Sequence, residues 1–156
     1  MEINLYNIVV ENFTEKKSHL ISDLSVLMKK YFKNKNYGVD LVVICVGFIL
    51  VYSRPGYEKW HQAKKPKYID YKITKSKLID GTHEVSNTFV YEIKFNDSLL
   101  NEFVTANDTV SKRILAYEIL NSLSNLENLP KKVKDFDKLR FKLDIELFFR
   151  EQKIIN

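Results

Sequence analysis

Cysteine is almost missing from this sequence. Cys45 is the only one in 156 residues, and a lone thiol forms no internal disulfide, so nothing here calls for an oxidising compartment. Cys45 sits between Ile44 and Val46 in the apolar run Leu41 to Tyr52, the setting of a buried, inert thiol and not of a reactive one. Glycine and proline are scarce as well, at 4 and 3. The four glycines (Gly38, Gly47, Gly56, Gly81) are scattered, so no loop brings clustered backbone N–H groups against a phosphate. The three histidines, His19, His61 and His83, lie far apart with no H-x-x-x-H or C-x-x-C spacing for a metal. A G-x-S-x-G elbow for a serine nucleophile is absent. The longest apolar run is about a dozen residues, too short for a bilayer, and Met1-Glu2-Ile3-Asn4 lacks the basic start and apolar stretch of a secretory signal. These absences point to a cytoplasmic protein with no membrane association, no cofactor and no metal, and to a non-enzyme.

What is present is the material of an ordinary core. The apolar fraction of 45% and charged fraction of 29% are those of a globular chain. A chain this long buries roughly 70% of the surface its unfolded form exposes, so it needs no staples, and its length fits one domain over residues 1–156. Phenylalanine and tyrosine number 10 and 9, which predicts a core rich in rings.

Hydrophobic spacing sets out the elements. Residues 3–10 read as a strand. Asn12 and Glu15 then have capping-pair spacing, and Leu20, Leu24, Leu27, Met28 and Tyr31 mark one face of a helix ending near Asn34 to Gly38, where Asn and Gly suit a left-handed cap. Residues 39–53, dense in β-branched side chains, read as one long strand, with Gly47 at a bulge or close approach. Arg54-Pro55-Gly56 reads as the turn that ends it, followed by a basic, aromatic loop to Pro66. Residues 68–75 and 88–95 alternate, predicting two strands that each have one polar face, joined through a turn at Asp80-Gly81. Helical periodicity follows: a short segment with Leu99, Leu100 and Phe103, capped by Asp97 or Ser98, then a longer one from Val110 to Leu126, capped by Thr105 or Asn107. Pro130 breaks the pattern. After Asp137, Phe141, Ile145 and Phe148 fit a helix, but Phe141 to Leu147 alternates equally well as a strand. The predicted class is α+β: an antiparallel sheet of about four strands with helices packed on one face, in the order β-α-β-β-β-α-α.

Charge is distributed unevenly. Residues 54–77 carry eight basic side chains against two acidic ones, so this segment is +6 within a chain whose net charge is +5. Its first part, residues 54–67, places the only tryptophan beside a tyrosine, a histidine and several cations. Arg54, Tyr57, Lys59, Trp60, His61, Lys64, Lys65 and Lys67 are therefore the candidate partner-binding residues, because Trp, Tyr and Arg supply much of the contact energy at interfaces. A structural role competes with this: Tyr57 and Trp60 capping the core, with the lysines as a solvated face. Basic residues interleaved with aromatics also suit single-stranded nucleic acid, although no nucleic-acid-binding signature accompanies them. One carboxylate pair, Asp70 and Glu92, falls on polar strand faces, where cross-strand pairing with Lys72 and Lys94 accounts for it better than acid–base chemistry.

Several stretches carry a resemblance. They are Tyr91-Glu-Ile-Lys-Phe-Asn96, a strand leading into a helix; Arg113-Ile-Leu-Ala-Tyr-Glu-Ile-Leu-Asn-Ser-Leu123; Phe136-Asp137; and Phe141-Lys-Leu-Asp144-Ile-Glu-Leu-Phe148-Phe149. With the apolar strand ending near Ser53-Arg54-Pro55, they resemble a family of bacterial polymorphic-toxin immunity proteins, mainly over residues 39–55 and 91–149. The resemblance implies a small cytosolic protein that binds and blocks a cognate toxin domain, with no cofactor. Inhibitors of nucleases are often acidic mimics of nucleic acid, whereas this chain is basic around residues 54–77. An acidic surface on the toxin would complement it, speeding association and adding specificity. Toxin neutralisation is thus the leading expectation. A nucleic-acid-binding or other interaction module built on residues 54–67 is the second, and an enzyme of unrecognised type the third.

Overall fold

The computed structural model describes residues 1–6, 15–45, 47–63, 82–85, 88–93, 95–125 and 133–156. Its elements are β1 (Glu2–Tyr6), a 3-10 turn at Glu15–Lys17, α1 (Ser18–Phe32), β2 (Leu41–Cys45), β3 (Phe48–Tyr52), α2 (Arg54–Gln62), β4 (Thr82–Val85), β5 (Thr88–Glu92), α3 (Asp97–Thr105), α4 (Asp108–Ser124) and α5 (Lys138–Glu151). The strands form one sheet in the order β1-β2-β3-β5-β4, in which β1 runs parallel to β2 and every other neighbouring pair is antiparallel.

The α+β class and the mostly antiparallel sheet agree with the sequence reading; several details differ. The apolar run 39–53 is a hairpin and not one long strand. Gly47, at φ 112°, turns the chain between β2 and β3, a conformation open to glycine without a Cβ penalty. Among the described residues the sheet therefore has five strands, and β4 lies within the stretch read as a link. The residues read as a turn at 54–56 instead open a helix, α2, which occupies most of the expected basic loop. The proposed strand 68–75, the Asp80-Gly81 turn, Asn12, Asp70, Lys72, Lys94, Leu126 and Pro130 lie outside the described residues.

Strand register divides the sheet into two faces. On one, Ile3, Val42, Val51 and Phe89 lie side by side across β1, β2, β3 and β5, and so do Leu5, Ile44, Ile49 and Tyr91. All eight belong to the main core. Helix α1 covers this face with Leu20, Ile21, Leu24, Met28 and Phe32, and α3, α4 and α5 add Phe103, Leu115, Ile119, Phe141 and Phe148. Each such side chain, fully buried, contributes about 1.5–3 kcal/mol. The ring-rich composition becomes an aromatic cluster: Phe32 lies 5.7 Å from Phe141, 6.0 Å from Tyr37 and 6.3 Å from Phe148 between ring centroids.

The opposite face is not the wet one that strand alternation predicted. Leu41, Val43, Cys45, Leu50, Tyr52 and Val90 form a second, smaller cluster on it, joined by Tyr57 and Trp60 of α2. Cys45 is buried there, which pushes its thiol pKa well up, in keeping with the inert thiol expected.

The helix starts follow capping chemistry. Asn96, Asn107 and Asp137 each accept a hydrogen bond from the backbone N–H three residues on, worth about 1 kcal/mol apiece. Asn107 and Asp137 are caps that the sequence predicts, whereas Asn96 precedes Asp97 and Ser98, the caps predicted for α3. Residues 141–149 are helical: Phe141, Ile145, Phe148 and Phe149 are buried while Leu143 and Leu147 are exposed, which a two-residue period would not give. Gly38 does not cap α1, which ends at Phe32. Its positive φ of 82° and missing side chain let the chain pass directly against Asp135, whose carbonyl oxygen a Cβ would overlap. The Asp137 N–H donates to the Tyr37 carbonyl beside it.

Candidate functional site

Helix α2 starts where β3 ends. Ser53, buried and extended, caps it by accepting from the Gly56 N–H at 3.1 Å. Pro55 occupies the first turn, where a missing N–H costs nothing. The Ala63 N–H closes the last turn on the Lys59 carbonyl, and Lys59 and His61 stand at the end where positive charge suits the helix dipole.

The helix folds back over the second face of the sheet. In the register, Glu2, Leu41, Tyr52 and Thr88 lie in one row across β1, β2, β3 and β5, and α2 is tied to this row at two points. Trp60 packs on Tyr52 with ring centroids 6.1 Å apart. Tyr57 donates its hydroxyl to Glu2 Oε2 at 2.8 Å. That bond, with burial second, raises the Tyr57 pKa. Arg54 Nε lies 3.5 Å from Asp40, just before β2, with most of its side chain in solvent; such a pair is worth at most about 1 kcal/mol.

The rings connect. Tyr57 stands 5.8 Å from Trp60 at a shallow angle and 5.9 Å from His61 edge-on, both within the range of favourable aromatic pairs. Tyr57 and Trp60 are half-buried, while Arg54, Glu58, Lys59, His61 and Gln62 are exposed. Five of the eight candidates, Arg54, Tyr57, Lys59, Trp60 and His61, thus share one nine-residue helix. Lys64, Lys65 and Lys67 lie outside the described residues. The core-capping role weighed for Tyr57 and Trp60 is met, because each packs, partly buried, against the second cluster. Glu2 and Asp40, which fasten the helix, were not singled out in the sequence: nothing local marks a residue as opposite another 55 positions away.

A second polar cluster also escaped the sequence reading. Lys17, nearly buried, gives its ammonium to the Ala106 carbonyl at 2.6 Å and to Asp108 Oδ1 at 3.1 Å, and His19 Nε2 meets Asp108 Oδ2 at 2.7 Å. The bonds from His19 and then Lys17 hold the Asp108 carboxyl below its ordinary range. The cluster joins the start of α1 to the α3–α4 junction, and its bonds are structural. Among the described residues no group of three His, Cys, Asp or Glu side chains is placed to hold a metal ion, and no helix is long and apolar enough to cross a membrane.

A family model described as Immunity protein 44 matches residues 1–151. The chain belongs to the Immunity protein 44 family. The match covers every element from β1 to α5, so α2 and both of its anchors, Glu2 and Asp40, fall inside it. It also carries membership through the N-terminal strand and α1, beyond the two stretches on which the resemblance rested. No curated protein and no solved structure matches the chain. As a member of Immunity protein 44, the protein is an immunity protein whose expected partner is a toxin.

Proposed function

We propose that this protein neutralises a cognate bacterial toxin domain by binding it in the cytoplasm, without catalysis, and that α2 is the contact. In this reading residues 1–156 act as one domain. The observation that supports it most is the arrangement on α2: half-buried Tyr57 and Trp60, held against Glu2 and Tyr52, with Arg54, Lys59 and His61 around them. Large rings fixed before binding lose little entropy when a partner arrives. Cations at their rim steer an acidic partner and set its orientation. Arg54, Tyr57, Lys59, Trp60 and His61 are the proposed contacts, continued by Lys64, Lys65 and Lys67 in sequence.

The test is a binding titration between the purified protein and the toxin domain encoded beside it. Lys59→Glu, at an exposed position, leaves the fold intact and reverses the local charge. It is expected to slow association and to weaken affinity at least about tenfold at low salt. Trp60→Ala is expected to cost about 2 kcal/mol or more of binding, the size of an interface hot spot. Unchanged affinity in both variants would move the contact away from α2.

A further inference from the structure

Helix α5 has two apolar faces. One, with Phe141, Ile145, Phe148 and Phe149, is buried in the main core. On the other, Leu139, Leu143 and Leu147 recur every four residues and are 68%, 61% and 50% exposed. They are half of the six large apolar side chains exposed among the described residues. A helix apolar on two sides ordinarily has a neighbour on each.

We propose that this stripe is a homodimer contact, in which α5 packs antiparallel on α5 of a second copy around a two-fold axis at Leu143. The first argument is spacing. Leu139 and Leu147 lie four residues to either side of Leu143, so the axis sets Leu143 against its own symmetry mate and Leu139 against Leu147. A ridge of side chains at every fourth residue is the kind that interdigitates with an identical ridge, and a self-complementary patch is what a two-fold interface requires.

The second argument is charge. Every charged residue of α5 before Leu143 is basic (Lys138, Arg140, Lys142), and after it stand Asp144, Glu146 and Glu151 with one arginine, Arg150. Antiparallel pairing about Leu143 brings the basic half of each helix over the acidic half of its partner. Parallel pairing would place like charges together. Glu146 accepts from Arg150 at 2.9 Å within its own helix and keeps capacity for a further donor.

The third argument is position. Helix α2 and its candidate contacts lie over the second face of the sheet, whereas α5 belongs to the layer on the main-core face. A dimer through α5 leaves both α2 helices uncovered, so the inference holds whether or not α2 meets the toxin. Leu139 to Leu147 spans only about 12 Å of helix. That is small beside the roughly 800 Å² per partner of a standard stable interface, so the association is weak and concentration-dependent.

Sedimentation equilibrium on the full chain, from about 10 µM to about 1 mM, covers the range expected for a contact of this size. The dimer fraction should rise across that range. Leu143→Glu, at an exposed position, should retain the helical circular dichroism of the parent and weaken association at least about tenfold. A monomer at every concentration would overturn the proposal. So would a dimer indifferent to Leu143→Glu, or a stripe whose substitution removes toxin binding while the parent protein stays monomeric.

Discussion

The Tyr57 hydroxyl donates to Glu2 Oε2 at 2.8 Å, joining the middle of α2 to the first residue of the edge strand. Because α2 follows β3 directly, this bond closes a span over β2 and holds the helix down on the second cluster. Tyr57→Phe keeps the ring on Trp60 and removes only the donor. We expect a loss of about 1 kcal/mol in urea unfolding, the net worth of one such hydrogen bond. Faster amide exchange within α2 than in α1 should accompany it. Identical exchange in α2 before and after the substitution would show that the bond does not secure the helix.

Gly38 has no room for a side chain. Its φ of 82° and its approach to the Asp135 carbonyl act together, so Gly38→Ala combines left-handed strain with overlap against backbone. A destabilisation of at least about 2 kcal/mol is expected from the strain and the forced displacement. Equilibrium denaturation measures it; a change within about 0.5 kcal/mol, ordinary for an unremarkable surface site, would contradict the geometry.

Asp108 sets an acid limit. Its folded pKa lies below the unfolded value of 3.8 because His19 and Lys17 donate to its carboxylate. For a depressed carboxyl the stabilisation is complete above the unfolded pKa and is lost as pH falls through the folded one. Stability measured from pH 5 down to pH 2 should therefore drop below about pH 4, and less steeply in Asp108→Asn. Equal slopes in the two proteins would remove Asp108 from the acid transition. Asp108→Asn should also lower stability at neutral pH, where Lys17 loses its anionic partner.

What could be read from the sequence was local. The helices announced themselves through period and cap, as in α4, where Asn107 precedes the stripe that includes Leu115, Ile119 and Leu123. The buried thiol at Cys45 followed from its neighbours. What failed depended on distant pairing. The hairpin at Gly47 was hidden because β2 and β3 are both buried on two sides, so one apolar run carried no alternation to divide it. Helix α2 was hidden because Ser53-Arg54-Pro55-Gly56 serves as a turn or as a helix start, and only Ser53 accepting from Gly56 decides between them. The candidate residues of residues 54–61 were legible by type, as an unusual mixture of rings and cations. Their arrangement on one helix, and the carboxylates of Glu2 and Asp40 that fix it, were not.

Leu5, on the outer strand β1, sends its N–H to the Ser25 hydroxyl of α1 at 3.1 Å. Glu2 directs its own N–H to Asp40 on the β2 side, so the alternating amides at Ile3 and Leu5 point off the sheet. A visiting strand aligning along this border would find the Leu5 donor already spoken for and a helix in its way. Lateral growth of the sheet from β1, whether by a foreign peptide or by a misfolded sibling, is thereby discouraged, and any ligand arriving from that direction has to be gripped by protruding groups and not by main-chain zippering.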